Sequence, residues 1–254
     1  MGCWTVSILE TKGITKKFAK FTALHGISLE VEKGEIRSII GPNGAGKTTF
    51  FNVVTGKFRP TDGAVYLDGK NITGKRPHEI IPYGIARSFQ IINIFQELTA
   101  FENIALPVLN KHGKNMALFS RPHLQHDIRE ECLSVLKEIG MENEADTVAG
   151  KLSHGDKKKL DIAIGLARDP RVLLLDEPTA GLNPQENKAI INLVKEIARR
   201  KNLTIVLIEH DMDAVFSISD NITVLQQGTV IANGKPDDVR ENKLVIDAYL
   251  GEDF

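Results

Sequence analysis

The chain has 254 residues, 42% of them hydrophobic, and a formal net charge of −1. This length suits one large α/β domain or two small ones, and the near-neutral charge excludes the global positive field of a nucleic-acid-binding protein. No apolar run approaches the roughly 20 residues that a membrane-spanning helix needs.

The N-terminal stretch MGCWTVSILETKG has neither the cationic start nor the cleavage site of a secretory signal. Its sixth residue is Val6 rather than Ser or Thr, which argues against myristoylation of the Met-Gly start. Because Cys3 and Cys132 are far apart and form no CxxC motif, a reducing compartment is favoured over a disulfide scaffold. We expect a cytosolic protein that reaches any membrane only through a partner.

The first part of the chain indicates strands. Residues 4 to 40 contain short apolar/polar alternations, as in TVSILE, HGISLEV and GEIRSII. A glycine-rich turn and a helix over residues 47 to 58 follow. The stretch TDGAVYLDG then predicts a hairpin around Asp62 and Gly63.

The pattern becomes helical from Glu97 to about Ala167 and then alternates between strands and helices. VLLLD and TIVLIEH are apolar strands, and NKAIINLVKEIARR is a helix between them. Such alternation indicates a parallel sheet covered on both faces. ITVLQQGTVIANG predicts a last hairpin that turns at Gln227 and Gly228.

The glycine-rich turn matches the phosphate-binding pattern GxxxxGK[ST] in its required context, after an apolar strand and before a helix. Backbone N–H groups of such a loop cradle the β- and γ-phosphates, Lys47 adds a point charge, and the Thr48 hydroxyl can ligate Mg²⁺. Both sequence and context disfavour a chance glycine-rich turn. The residues predicted to bind nucleotide here are Gly41, Pro42, Asn43, Gly44, Ala45, Gly46, Lys47, Thr48 and Thr49.

Two adjacent carboxylates follow the apolar strand VLLLD, at the end of the sheet where α/β proteins bind ligands. Asp176 is placed to hold Mg²⁺ through water, and Glu177 to polarise the attacking water. An exposed acidic turn would explain Glu177 alone. It does not explain a carboxylate pair that closes a buried strand in a chain with a P-loop.

His210 ends the strand TIVLIEH at the same edge of the predicted sheet. A lone histidine is usually a surface or core residue. At this strand end, a contact with the γ-phosphate is favoured.

The segment LSHGD, from Leu152 to Asp156, opens a helix. Ser153 is a good N-cap, and Asp156 three residues later resembles a capping box. Three lysines, at 157 to 159, then occupy the first turn, where cations oppose the helix dipole by about 0.3–1 kcal/mol each. Such a helix start favours an anion, but the neighbouring sequence supplies none.

Taken together, GPNGAGKTT, Gln90, LSHGD, VLLLDEP, GLN at 181–183 and IEHD resemble, in order and spacing, the nucleotide-binding subunit of ABC transporters. The resemblance covers nearly the whole chain. GIARSFQ, LTAFENI, EPTAGLNP, IEHDM and SISDNITVLQQG are similar to the ATPases of branched-chain amino-acid importers. ADTVAGKLSHG is also similar to the related ATPases of urea importers.

The resemblance implies an α/β P-loop NTPase with a RecA-like parallel sheet, an N-terminal antiparallel β subdomain and an inserted α-helical subdomain. Residues 1–254 would form a single ATP-binding cassette. Its catalytic core and β subdomain would comprise residues 1–90 and 168–254. Residues 91–167 would form the helical subdomain, which carries the signature and docks on the permease.

The resemblance also implies roles for individual residues. LSHGD would be the family signature, in which Ser153 and Gly155 contact the γ-phosphate of ATP bound by the other subunit of a dimer. This supplies the missing anion across an interface. Phe18 would stack on adenine with Ala23 beside it, and Gln90 would sense both Mg²⁺ and the membrane partner.

Two departures from the family pattern accompany the resemblance. His154 and Asp156 replace the third and fifth residues of the usual LSGGQ, so that Asp156 adds negative charge near a phosphate. The loop after DEP usually ends in Asp, but here it ends in Asn183. A neutral hydrogen bond contributes about 0.5–1.5 kcal/mol against about 1.5–3 for a charged one, so coupling across the dimer should be modulated rather than abolished.

The favoured interpretation is the ATP-hydrolysing motor subunit of an ABC importer for branched-chain or other hydrophobic amino acids. It would be a peripheral Mg²⁺-dependent ATPase at the cytoplasmic face of the membrane. It would pair with a second ATPase subunit, identical or related, and with transmembrane permeases, and would serve an extracytoplasmic binding protein indirectly. Uptake of urea or amides, and export of lipid or lipopolysaccharide, remain alternatives. A soluble DNA-repair or translation ATPase lacks support, because the span from Lys47 to Ser153 holds no long coiled coil and the chain has one cassette. A small-molecule kinase leaves LSHGD and His210 unexplained.

Overall fold

The computed structural model describes residues 7–88, 94–113 and 122–249. In chain order the strands are β1 (Ser7–Phe18), β2 (Phe21–Glu32), β3 (Ile36–Ile40), β4 (Asp62–Leu67), β5 (Lys70–Asn71), β6 (Ile85–Arg87), β7 (Val172–Asp176), β8 (Thr204–Ile208), β9 (Asn221–Gln226) and β10 (Thr229–Gly234). The helices are α1 (Lys47–Val54), α2 (Pro77–Ile80), α3 (Ala100–Lys111), α4 (Pro122–Glu138), α5 (His154–Leu166), α6 (Pro184–Lys201), α7 (Met212–Ile218), α8 (Pro236–Arg240) and α9 (Lys243–Tyr249).

The larger sheet has the strand order β10-β9-β3-β8-β7-β6 within the described residues. Its strands pair in parallel except for β10, which pairs antiparallel with β9. Every residue of β3, β7 and β8 is buried, as expected for a parallel sheet with helices on both faces. Since these strands are parallel, their carboxyl ends meet at one edge of the sheet.

A smaller antiparallel sheet, in the order β2-β1-β4-β5, packs beside it. One hydrophobic cluster joins the two sheets through α1, and its members include Phe50 and Phe51 of α1, Leu24 of β2 and Leu174 of β7. This packing fixes the start of α1, and with it the glycine-rich turn, against both sheets.

Helices α3, α4 and α5 lie between β6 and β7 in the sequence and share a second cluster, which includes Ile104, Leu136 and Leu160. The predicted α/β class, with a parallel sheet, an antiparallel β unit and an inserted helical unit, is thereby confirmed. The subdomain limits at residues 91 and 167 stay a prediction.

The predicted hairpin at Asp62 and Gly63 is wrong. Asp62 is the first residue of β4 and pairs with Thr15 of β1. The chain turns instead at Asp68 and Gly69, between β4 and β5, where φ values of 49° and 72° meet the needs of a tight hairpin turn. Both Asp-Gly pairs carry the same local signal, and pairing with β1 decides which of them turns.

The other boundaries agree more closely with the sequence. The last hairpin does turn at Gln227 and Gly228, with positive φ at both residues. Helix α1 ends at Val54, four residues before the predicted end. Among the described residues, none of the helices combines the length and apolar character needed to cross a membrane.

Candidate functional site

The glycine-rich turn connects β3 to α1 and wraps closely against neighbouring backbone. Gly46 precedes α1 with a φ of 103°, and a Cβ there would come within 2.8 Å of the Ala23 carbonyl oxygen. At Gly41 a Cβ would lie 2.0 Å from the Leu225 carbonyl oxygen. Glycine is therefore required at both positions. The predicted adenine-site residue Ala23 is brought to this turn.

Lys47 begins α1, and its ammonium is held inside the turn. Nζ donates hydrogen bonds to the carbonyl of Gly41 and, at 3.0 Å, to that of Pro42. The side chain is buried, whereas Thr48 is exposed. A cation thus lies at the N-terminus of a helix whose dipole also favours an anion, and this combination suits a phosphate group.

Asp176 ends β7, and its side chain is only 1% exposed. Its Oδ2 lies 2.6 Å from Nη2 of Arg87, at the end of the neighbouring strand β6. Its other oxygen, Oδ1, is buried and accepts no hydrogen bond in the described part of the chain. A buried carboxylate oxygen without a protein donor fits a site for a metal-bound water.

Glu177 follows Asp176 in a left-handed conformation with φ of 52°, and its backbone N–H donates to the Ile208 carbonyl of β8 at 2.9 Å. This bond anchors the Glu177 backbone to the end of β8. His210, two residues after β8, places its Nε2 2.9 Å from Glu177 Oε1. The structure therefore brings together two residues that the sequence placed at the ends of separate strands.

Glu209, directly before His210, is 4% exposed and was not predicted as a site residue from the sequence. Its Oε1 accepts hydrogen bonds from the Thr179 backbone N–H at 2.9 Å and from the Thr179 hydroxyl at 2.6 Å. Burial raises the pKa of the Glu209 carboxyl, although these hydrogen bonds oppose the shift. Glu209 ties the loop after β7 to the loop after β8, and so fixes Glu177 relative to His210.

The LSHGD segment begins α5 as predicted. Ser153 is the N-cap, and its Oγ accepts a hydrogen bond from the Asp156 backbone N–H at 3.1 Å. The same hydroxyl donates to Asp156 Oδ2 at 2.7 Å. In the described residues, the hydrogen bonds of Ser153 stay within this first turn.

The three lysines that follow are engaged within their own chain. Lys157 donates to the Gly150 carbonyl at 2.9 Å, and Lys159 pairs with Asp156 at 2.9 Å. Although partial burial opposes the shift, hydrogen bonds from Lys159 and Ser153 lower the pKa of Asp156. The negative charge that Asp156 adds to the signature is therefore partly compensated locally.

Lys158 is buried, and its Nζ donates to the Glu177 carbonyl at 3.2 Å. Burial lowers the pKa of this ammonium, against the nearby carboxylates of Asp161 and Glu209. This contact joins the helix of LSHGD to the loop that bears Glu177. Sequence analysis gave no signal for it, because the two segments are 19 residues apart.

Phe18 ends β1 and is 38% exposed. Its ring meets Phe58 edge to face at 5.3 Å between centroids, and Lys16 Nζ lies 4.9 Å from its centroid. The ring is thus supported on some sides and open to solvent on others. Gln90 and residues 91–93 after it lie outside the described residues.

Asn183, where the family usually has Asp, is the N-cap of α6. Its Oδ1 accepts hydrogen bonds from the backbone N–H groups of Gln185 and Glu186, both at 3.0 Å. The neighbouring Gly181 lies against the ring of His154, because a Cβ there would be 3.2 Å from His154 Nε2. LSHGD and the GLN loop therefore form one continuous surface.

A P-loop on a parallel sheet, with a carboxylate pair at the end of a neighbouring strand, defines a P-loop nucleotide-binding protein. A sequence model of the ABC transporter family matches residues 24–180, and a model described as branched-chain amino acid ATP-binding cassette transporter matches residues 229–254. The chain belongs to the ABC transporter family, as an ATP-binding cassette with ATP-hydrolysing activity.

Individual relatives agree with this assignment. The high-affinity branched-chain amino acid transport ATP-binding protein BraF of Pseudomonas aeruginosa is 42% identical over 250 residues, which cover 96% of this chain and 98% of that protein. The crystal structure of the ADP conformation of MJ1267, an ATP-binding cassette of an ABC transporter, has a TM-score of 0.85 and 34% identity, covering 98% of this chain and 100% of that one. The dimeric post-hydrolysis structure of the cassette MJ0796 with ADP and Pi has a TM-score of 0.77 and 30% identity, covering 90% and 98%.

Proposed function

We propose that this chain is the ATP-hydrolysing motor subunit of an importer for branched-chain or other hydrophobic amino acids. The observation that carries this proposal is the 42% identity to BraF over 96% of the chain. A match to the branched-chain amino acid cassette model at residues 229–254 supports the same substrate class. The relatives described above point to neither urea or amide uptake nor lipid export.

The P-loop would hold the β- and γ-phosphates of ATP through its backbone N–H groups and Lys47. Lys47 would exchange its hydrogen bonds to loop carbonyls for bonds to phosphate oxygens. Asp176, Thr48 and Gln90 would hold Mg²⁺, and the unpartnered Oδ1 of Asp176 fits that role. When bound, Mg²⁺ neutralises charge on the β- and γ-phosphates and so favours in-line attack.

Glu177 would act as the group that orients and polarises the attacking water. Its hydrogen bond from His210, and its backbone bond to Ile208, hold the carboxylate in one place before ATP arrives. His210 would also contact the γ-phosphate as charge develops there. Pre-positioned groups of this kind need little rearrangement in the transition state.

A second ATPase subunit would complete each site. Ser153 is exposed at the start of α5, where its hydroxyl can meet the γ-phosphate of a partner's ATP, whereas Gly155 is buried and would contribute through its backbone N–H. The dimeric MJ0796 cassette supports pairing of this kind. Phe18 would stack on adenine beside Ala23, and Gly41, Pro42, Asn43, Gly44, Ala45, Gly46 and Thr49 would complete the nucleotide site.

The chain would bind a transmembrane permease at the cytoplasmic face of the membrane, and would therefore be a peripheral membrane protein. An apolar groove of about 380 Å³, lined in part by Ile81 and Ile164, is edged by Lys57 and Arg168. Arg168 forms no ion pair within the described ranges. An acidic amphipathic helix of a permease matches both the apolar floor and the cationic edge.

The proposed division of the cassette gives each part a task. Residues 1–90 and 168–254 would bind and hydrolyse ATP, and residues 91–167 would carry the signature and dock on the permease. Helices α3, α4 and α5 pack in one hydrophobic cluster, which continues onto β7, β8 and α6 of the catalytic part. An extracytoplasmic binding protein would deliver the amino acid to the permease without touching this chain.

Uptake in cells that lack this chain tests the proposal. We expect transport of labelled leucine to fall to background, with urea uptake unchanged, and the wild-type chain but not Glu177→Gln to restore leucine transport. Loss of urea uptake with normal leucine uptake would identify the alternative substrate class. Normal uptake of all branched-chain amino acids would contradict the proposed import function.

A further inference from the structure

Arg87 occupies a position in the nucleotide site that the motifs do not explain. It ends β6, and its side chain is 8% exposed. Nη2 lies 2.6 Å from Asp176 Oδ2, and Nη1 lies 2.7 Å from Asn52 Oδ1 on α1. One guanidinium thus connects the helix that follows the P-loop to the carboxylate that ends β7.

The surroundings hold this guanidinium in one orientation. The Phe51 ring lies 5.6 Å from Arg87 Cζ, and the Thr55 hydroxyl lies 3.4 Å from Nη1. A planar fork with five donors can serve Asp176 and Asn52 at once, which the single ammonium of a lysine cannot do in the same geometry. The arrangement requires arginine rather than any cation.

The two oxygens of Asp176 have different environments as a result. Oδ2 is bound to Arg87, while Oδ1 is equally buried and has no hydrogen-bond donor among the described residues. A carboxylate free to rotate would exchange these oxygens. With Arg87 on one of them, the other is presented in a fixed direction.

We propose that Arg87 is a positioning residue that orients Asp176 so that Oδ1 serves Mg²⁺ and its waters. The inference rests on the proposed Mg²⁺ role of Asp176. Arg87 acts through that carboxylate and has no direct contact with nucleotide. Its link to Asn52 sets the distance between the metal-holding carboxylate and the P-loop helix, which must be right for both to meet one Mg-ATP.

The test compares nucleotide affinity with and without Mg²⁺, which separates metal binding from phosphate binding. A fluorescent ATP analogue is titrated onto the purified chain in excess Mg²⁺ and in EDTA. The Kd in EDTA divided by the Kd in Mg²⁺ is the Mg²⁺ ratio, which measures the contribution of the metal to binding. In Arg87→Met we expect this ratio to fall at least fivefold, with the Kd in EDTA within about twofold of wild type. Arg171→Met, which breaks the exposed Arg171–Asp68 pair, is the matched control and should keep the wild-type ratio.

Arg87→Lys covers the case in which Arg87→Met fails to fold. It keeps the positive charge, and we expect the Mg²⁺ ratio to fall as it does in Arg87→Met, because one ammonium cannot hold both Asp176 and Asn52. Adding Arg87→Met or Arg87→Lys to Asp176→Asn should then change the ratio no further, since the arginine acts through the carboxylate.

Several outcomes overturn the inference. They are an unchanged or increased ratio in both Arg87 variants, an equal rise of Kd with and without Mg²⁺, or a full effect of Arg87 substitution in the Asp176→Asn background. If Asp176→Asn itself keeps the wild-type ratio, the proposed Mg²⁺ role of Asp176 fails as well. If the Mg²⁺ ratio falls in Asp176→Asn but keeps its wild-type value in the Arg87 variants, only the role of Arg87 fails.

Discussion

His210 Nε2 lies 2.9 Å from Glu177 Oε1, although the two residues follow different strands and are 33 positions apart. Three features hold them together. The Glu177 backbone bonds to the end of β8, Glu209 bridges the two loops through Thr179, and Lys158 binds the Glu177 carbonyl. The carboxylate is therefore held in position by the protein itself, as the proposed water-activating group must be.

Replacing Glu177 by Gln removes the proposed acceptor for the proton of water while keeping the shape of the side chain. We expect ATP binding to persist, steady-state hydrolysis to fall by about 10²–10⁴-fold, and an ATP-bound dimer to accumulate. Phosphate release and size-exclusion chromatography measure the two effects. Glu196→Gln, an exposed glutamate on α6, is the control. Unchanged hydrolysis in Glu177→Gln would remove this residue as the base.

Replacing His210 by Ala removes the hydrogen bond that orients Glu177 and the proposed γ-phosphate contact. We expect kcat to fall by at least tenfold with the nucleotide Kd changed less than threefold, because both interactions matter most in the transition state. His126→Ala changes an exposed histidine on α4 and should have no effect. A loss of affinity with normal kcat would instead make His210 a ground-state binding residue.

Lys47→Ala should weaken nucleotide binding, because it removes a charge-assisted phosphate contact worth about 1.5–3 kcal/mol. Titration with a fluorescent ATP analogue should show roughly a tenfold or larger loss of affinity. Lys137→Ala, an exposed lysine on α4, serves as the control. Equal affinities for wild type and Lys47→Ala would mean that another segment holds the phosphates.

Phe95 follows the apolar residues after Gln90 and is 57% exposed, while its backbone N–H and carbonyl both bond to the buried Asn103. An exposed ring on a fixed backbone suits a contact with a permease helix. Phe95→Asp should spare basal ATPase and reduce transport in proteoliposomes, whereas Leu244→Asp, at another exposed apolar residue, should leave both unchanged. Loss of folding in Phe95→Asp would show that the ring belongs to the core.

The sequence was most informative where the determinants of structure are local. The P-loop, the buried strand before Asp176 and the N-cap Ser153 each depend on a few consecutive residues. The sequence did not predict roles for three buried charged residues, Arg87, Glu209 and Lys158. Their partners lie in other elements, so their burial and pairing can be seen only once the fold is known. The unexpected arginine at the end of a buried strand was the one available signal, because a buried charge needs a partner.

The hairpin error has the same origin. Asp62-Gly63 and Asp68-Gly69 offer the same turn chemistry, and β1 selects between them by pairing with the residues from Asp62 onward.

The lysines at 157 to 159 are a case in which the sequence suggests a cost that contacts in the fold reduce. They look unfavourable at a helix start in sequence, yet in the fold Lys157 and Lys158 each donate to a backbone carbonyl, and Lys159 pairs with the Asp156 carboxylate.

In the proposed dimer, LSHGD acts on ATP bound by the other subunit. Ser153→Arg should inactivate a dimer of identical chains by blocking that contact, and Lys47→Ala should inactivate it by weakening ATP binding. In a mixed dimer, the Ser153→Arg chain still has Lys47 and receives Ser153 from its partner. One site is then complete.

The most direct test is the ATPase activity of an equimolar mixture of Lys47→Ala and Ser153→Arg chains, at a concentration where light scattering shows dimers with ATP. We expect each variant alone to be nearly inactive and the mixture to recover about a quarter of wild-type activity, since half of the dimers are mixed and each has one complete site. A mixture of dimers no more active than its components would contradict the account, and would mean that LSHGD serves the ATP of its own chain.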